Sequence, residues 1–320
     1  MRPAGPGPRG RAIIAMAGRP APAREISDLR GGFMTADALP VIAAVDGSAH
    51  SWEALDWAAA EAVLRGLPLL IVHVRPPTRR KDEEGVLREA EELLAQGVLR
   101  ASRLAPGLRT STLTPLDFPS AALISLSRDA SMVVVGSRGL GGFRSLMIGS
   151  NSLATASMAR CPVVVVHTGR TDESEGDAAE SFPDIVAGVA ADESSGAVLD
   201  FAFETAATRP GARLRLVHGW TMFSSMLSGG PVFDTDAAAA SAGRALAELT
   251  AGRRERYPQL DVVREPVRGS ASRTLVTASA TAALTVVGRR KGGESLGLGL
   301  SPVAQTTVTH ALGPVAVIPT

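Results

Sequence analysis

PVIAAVDGSAHSWEALDWAAAEA, residues 40–62, returns further along the chain as DIVAGVAADESSGAVLDFAFETA, residues 184–206. Each copy opens on a short apolar run, passes a turn of Asp, Gly, Ala and Ser, and enters a stretch whose apolar residues recur at helical spacing. An apolar run of this length is a strand buried on both faces, and the stretch after it is a helix that covers one of them. The match continues in order. LPLLIVHV (67–74) pairs with ARLRLVHG (212–219), SMVVVGSRGLGGF (131–143) with ALTVVGRRKGGES (283–295), and ARCPVVVVH (159–167) with ALGPVAVIP (311–319). The chain is one unit written twice. The second copy is longer, mostly around TMFSSMLSGGPVFDTD, residues 221–236.

The repeat sets the expected domains: 39–168 and 184–320, joined by the polar, acidic, aperiodic linker 169–183. Residues 1–38 read as a disordered Pro/Gly/Arg-rich extension, with six arginines against Glu25 and Asp28 in the first 33 positions. Met34 opens a segment that also reads as a natural start. No apolar core of a signal peptide precedes it, so a cytoplasmic protein is expected. Within the first unit the expected strands are Val41–Val45, Leu69–Val74, an edge-like Leu108–Leu116 containing Pro115, Met132–Val135 and Val163–His167. The expected helices run from a Ser48 or Ser51 cap to Arg65, over 82–104, over Ser120–Arg128 and over Ser150–Ala159. Trp52, Leu55, Ala59 and Val63 are expected inward on the first helix, and Val86, Leu93, Leu94 and Leu104 on the second. Alternating apolar strands and helices predict an α/β fold of two tandem doubly wound domains. Each is a mostly parallel five-stranded sheet with helices on both faces. Ligands of such sheets bind beyond the carboxyl ends of the strands, where the strand order switches. Asp46, Val74 and Gly136 stand at such ends.

Composition narrows the functions open to the chain. It has 320 residues, 45% apolar and 20% charged, with a net charge of +1. That balance supports a packed core and speaks against a nucleic-acid or membrane surface. No apolar run approaches the roughly 18 residues of a membrane span. The lone cysteine, Cys161, allows no internal disulfide or multi-cysteine metal site. It reads as a small buried hydrophobe, with a redox sensor as the alternative. The sequence has no P-loop, no G-x-S-x-G elbow and no HExxH. His50, His73, His167, His218 and His310 are scattered, and the equivalent His73 and His218 read as structural.

One motif carries chemistry. In VVVGSRGLGGFRSLMIGSNS, residues 133–152, the spacing G-x2-G-x9-G-S places Gly136 and Gly139 after a strand and Gly149-Ser150 at the start of a helix. Backbone N–H groups there can face an anion with no Cβ in the way, and the helix dipole favours negative charge. Gly142 falls inside the same loop. Ser150 and Ser152 add hydroxyl donors, unless Ser150 only caps the helix. Arg138 and Arg144 either offset phosphate charge or are solvated loop residues. Asp46 can accept from a ribose hydroxyl, bind Mg²⁺ held by phosphates, or bond its own backbone as a turn aspartate.

Taken together, VIAAVDGS (41–48), LLIVHV (69–74), GSRGLGGFRSLMIGS (136–150) and MARCPVVVV (158–166) closely resemble the universal stress protein family in its tandem form, over residues 39 to 320. The resemblance implies an adenine nucleotide alpha hydrolase-like fold and an ATP site, with Mg²⁺ on Asp46. Gly136, Arg138, Gly139, Gly142, Gly149, Ser150 and Ser152 would wrap ribose and phosphates, and the backbone of Val74 would meet adenine. It further implies an internal pseudo-dimer paired through Val163–Val166 and Val315–Ile318, with homodimerisation left open. The implied role is a regulatory protein of stress or dormancy acting on a protein partner that the sequence does not identify. A non-nucleotide-binding interaction module and a weak ATPase are the competing readings.

The second copy departs from the motif. Asp46 becomes Ala190, although Asp192 lies nearby; Gly139 becomes Lys291; Gly149 and Ser150 become Ser301 and Pro302. Proline at the first helical position donates no N–H. The expectation is one nucleotide site per chain, in the first unit. Arg289, Arg290 and Lys291 are the residues that could restore phosphate attraction to the second.

Overall fold

The computed structural model describes residues 38–77, 83–139, 147–167, 184–220, 235–289 and 299–320. Gly142, Arg144, Arg290, Lys291, the linker and most of the 221–236 insertion lie outside them. The first repeat contributes strands β1 (Val41–Ala44), β2 (Leu69–Val72), β3 (Thr110–Leu113), β4 (Met132–Gly136) and β5 (Val163–Val166). Its helices are α1 (Ala49–Arg65), α2 (Glu83–Leu104), α3 (Pro119–Leu126) and α4 (Ser150–Met158). The second contributes β6 (Ile185–Gly188), β7 (Arg213–Trp220), β8 (Asp261–Arg268), β9 (Leu284–Arg289) and β10 (Val315–Pro319). Its helices are α5 (Gly196–Ala207), α6 (Thr235–Arg256), α7 (Ser272–Ala278) and α8 (Pro302–His310). Among the described residues no helix is long and apolar enough to cross a membrane.

All ten strands form one sheet in the order β3-β2-β1-β4-β5-β10-β9-β6-β7-β8. Each half is parallel throughout, and its order reverses at β1/β4 and again at β6/β9. The halves join through one antiparallel pair, with Val315 opposite Val165, Ala316 opposite Val164 and Val317 opposite Val163. The implied pairing of last strands is therefore present, and it merges the two expected sheets into one. This joint is all valine and alanine and fully buried, so neither half exposes its β5-type edge.

Helix boundaries follow local chemistry. Ser48 caps α1 by accepting from the Ser51 amide, and Gly66, at φ 66°, ends it in the left-handed conformation that favours glycine. The buried face of α1 is Ala54, Leu55, Ala58, Ala59 and Ala62, which lets the helix lie close to the sheet. Val63, expected inward, is 54% exposed, because it sits about 100° around the helix from Ala62. On α2 the buried stripe is Ala90, Leu94, Gly97 and Ala101, while Leu104, also expected inward, is exposed in the last turn. Gly97 lets this helix settle on Ile71 and Leu55. β3 pairs only with β2 and is the edge of the sheet, as Pro115 led us to expect.

Beside the strand joint, a buried charge cluster links α1 to α5. Glu61 is 1% exposed and takes Arg65 Nε at 2.6 Å and an Arg209 nitrogen from the other repeat. Arg65 also donates to Thr205 at 2.8 Å and stacks over the Phe201 ring. His73 and His218 donate from Nδ1 to the carbonyls of Val45 and Val189 at 2.8 and 3.0 Å. They tie equivalent strand ends together, which is the structural role expected of them.

Candidate functional site

The carboxyl ends of β1, β2 and β4 converge at the switch in strand order of the first repeat. Beyond β1 the chain turns through Asp46-Gly47 into α1. Asp46 Oδ1 accepts from the Ser48 amide at 3.0 Å and the Ser48 hydroxyl at 2.6 Å, so the turn-aspartate role is real. Its Oδ2 lies so close to Gly139 that a Cβ on residue 139 would overlap it. The two roles coexist: one oxygen holds the turn and the other faces the glycine loop.

The three motif glycines turn out to have different reasons to be glycine. None is among the left-handed glycines of the described residues, which are Gly47, Gly66, Gly107, Gly211, Gly269 and Gly299. A left-handed backbone is therefore not what requires glycine at these three positions. At Gly136 an added Cβ would sit 2.7 Å from the His50 carbonyl oxygen, so α1 can start against β4 only if residue 136 has no side chain. Gly139 clears space for Asp46. Gly149 meets nothing closer than 3.6 Å.

Gly149 is the N-cap of α4, and Ser150, expected to cap or to donate, is its exposed first residue and makes no capping bond. The Gly149 amide is turned back onto the Ser137 carbonyl at 2.7 Å. Gly149 offers no side chain to the first-turn amides, so among the described residues the positive end of α4 has no side-chain cap. Ser152, expected as a ligand donor, gives its hydroxyl proton to the Gly136 carbonyl at 2.7 Å and so ties α4 to the end of β4. Val74 is buried at the end of β2, just where β2 parts from β1. No described residue bonds its backbone N–H or C=O, an accounting gap at a buried strand end.

Two nitrogens here lack acceptors among the described residues: Arg138 Nε and His50 Nε2, both buried. His50 was not among the candidates read from sequence. The available signal was its place one turn into α1, four residues after Asp46, and its replacement by Ser194 in the repeat that also lost Asp46. Burial holds the His50 pKa below the usual histidine value, and the Arg138 guanidinium lowers it further against the opposing pull of Asp46. A Mg²⁺ ion would find one protein carboxylate, Asp46, which suits an ion that takes most of its ligands from phosphate and water. Among the described residues no group of three His, Cys, Asp or Glu side chains gathers. Cys161 is buried behind Pro162, and burial pushes its thiol up to about 12, which favours the inert reading over the redox one.

The second repeat keeps the framework and caps the corresponding helix with its own serine. Ala190 bonds the Ser195 hydroxyl through its amide at 2.8 Å, as Asp46 bonds Ser51. Asp192 is exposed and bonds Ser194 in the turn, so it does not replace Asp46. Ser301 caps α8 by accepting from the Ala304 amide at 3.1 Å, and Pro302 removes another donor. Arg289 does not serve a phosphate either. It donates to the Ser157 and Ala159 carbonyls at 2.9 and 2.8 Å, at the carboxyl end of α4 in the first repeat.

Fold and site together define a tandem doubly wound α/β protein whose two repeats differ at the same strand-end position. The profile described as "Universal stress protein family" matches residues 39–167 and 181–319, and the chain belongs to that family. It is 32% identical over 289 residues to Universal stress protein Rv2005c of Mycobacterium tuberculosis, covering 87% of this chain and 96% of that protein. It is likewise 32% identical over 295 residues to Universal stress protein Rv2623 of the same organism, with the same coverage of 87% and 96%. The crystal structure of a universal stress protein from Archaeoglobus fulgidus shares the fold over 88% of this chain and 96% of that one. Its TM-score is 0.64 at 16% identity.

Proposed function

We propose that the first repeat binds ATP with Mg²⁺, one nucleotide per chain, and that occupancy regulates a protein partner in a stress or dormancy response. The observation that carries this reading is the contrast between α4 and α8. The same helix is uncapped beside Asp46, Arg138 and Gly139 in one repeat and capped by its own serine in the other. The α4 amides and the unpaired Arg138 nitrogen suit phosphate, Asp46 Oδ2 suits a ribose hydroxyl or Mg²⁺, and the unpartnered Val74 backbone suits a base edge. Gly142 belongs to this reading as part of the loop between Gly139 and Gly149. Calorimetric titration of the full chain with Mg-ATP is expected to give one site. Nucleotide at 100 times its dissociation constant should add about 2.7 kcal/mol of stability. Two equal sites, or no binding, would overturn the reading.

A further inference from the structure

We propose that His50 is a phosphate-binding residue of the first-repeat cleft, donating from Nε2 to the same anionic group that Arg138 Nε engages. This rests on the nucleotide reading above and adds a contact to it. His50 is placed by its backbone: its carbonyl oxygen and Cβ lie 2.7 and 3.0 Å from where a Gly136 Cβ would stand. The first turn of α1 therefore lies against the end of β4, two residues before Arg138. Both side chains bury a nitrogen with no acceptor among the described residues. Leaving a buried donor unpaired is costly, and two such donors at one strand end can be met by one shared acceptor. Burial first, and then the Arg138 guanidinium, disfavour a charge on the imidazole, which also lies within electrostatic range of His167, so the local balance is short of negative charge. Asp46, within electrostatic range of His50, supplies part of that charge but commits Oδ1 to Ser48. A phosphate oxygen supplies the rest and can accept from both nitrogens at once.

The second repeat shows what the position does when no such anion is held. The residue aligned with His50 is Ser194, exposed in the 3-10 turn Glu193–Ser195 rather than in an α-helical first turn. There the residue aligned with Gly136, Gly288, faces Val198 and Thr320 instead of the turn backbone. His50 and Asp46 are thus present in one repeat and absent together from the other.

The test is calorimetry on the full chain with ATP and with adenosine, for the native protein, His50→Ala and His50→Gln, alongside the melting temperature of each unliganded protein. His50→Ala is expected to weaken ATP roughly 10-fold or more while leaving adenosine unchanged. His50→Gln, which restores an N–H at similar reach, is expected to recover part of the loss. ATP binding unchanged in His50→Ala, or ATP and adenosine weakened equally in both variants, would overturn the role of His50 while the nucleotide site stands. A native chain that binds neither ligand would overturn both. A lowered melting temperature shared by both variants, with no difference between their ATP affinities, would mark His50 as structural and overturn the proposal.

Discussion

Gly139 and Asp46 make sense only as a pair. The glycine is there because a carboxylate occupies the space its side chain would fill, and the sequence of the second repeat exchanges both together, Asp46 for Ala190 and Gly139 for Lys291. Gly136 has a different reason, shared by both repeats: a Cβ on Gly136 or on Gly288 would run into α1 or α5 packed against the strand end. Gly149 has no steric reason within the described residues, and its exchange for Ser301 converts an open helix end to a capped one. A regular spacing of glycines in sequence therefore combines a site residue, a fold residue and an uncapped helix. We expect Gly139→Ala to push Asp46 aside and weaken ATP about 10-fold. In an Asp46→Ala background the same change should have little further effect. A double-mutant cycle by calorimetry checks this, and full additivity would refute the coupling.

At the scale of elements, α4 is held at its two ends by different halves of the molecule. Its amino end leans on β4 through Ser152 and Gly136, and its carboxyl end is closed by Arg289 from the second repeat. A guanidinium there satisfies two terminal carbonyls and complements the negative end of the helix dipole. Burial lowers the Arg289 pKa, so its charge is held against a desolvation penalty that these two acceptors offset. Arg289→Ala is expected to lower stability by about 1–3 kcal/mol in denaturant unfolding, with part of the loss recovered by Lys. An unchanged midpoint would show that the helix end needs no partner. The strands and helices of the first repeat were legible to within three residues, the edge strand least well, because apolar runs and helical spacing are local. The inward faces of α1 and α2 were legible only in part. Val63 and Leu104 fit the period loosely, and the sheet beneath decided which stripe was buried.

For the whole molecule, the two repeats are joined by more than strand pairing. Glu61 is buried between Arg65 and Arg209, whose side chains are 14% and 9% exposed. Glu61→Ala leaves both guanidinium groups without their carboxylate. It is expected to destabilise the chain by roughly 3–5 kcal/mol; a loss under about 1 kcal/mol would mean that the cluster is screened or rearranges. His167 bridges the halves too, with Nδ1 3.1 Å from the Gly313 carbonyl and Nε2 2.9 Å from that of Val308. Burial lowers its pKa despite these acceptors, so the folded chain favours the neutral ring. The unfolded chain binds the proton more readily. His167 therefore contributes stability in full above its unfolded value near 6.5, and this drains as pH falls through the lower folded value. Melting temperatures from pH 7.5 to 5.5 should fall less steeply for His167→Gln than for the native chain; equal slopes would sink the assignment.

Duplication, strand and helix order, and the uneven state of the glycine motif are all determined by the sequence alone, because each is a matter of local pattern or of comparing one stretch with another. Only the tertiary structure decided that the two sheets are one, that Arg289 serves the neighbouring repeat, that Ser152 is tied to Gly136, and that His50 packs against the end of β4. Most of those facts depend on which atoms meet far apart in the chain, as Arg289 meets Ser157 and His167 meets Val308. No periodicity records such meetings. They follow from the packing of helices on a shared sheet, where the absence of a single Cβ sets how close two elements come.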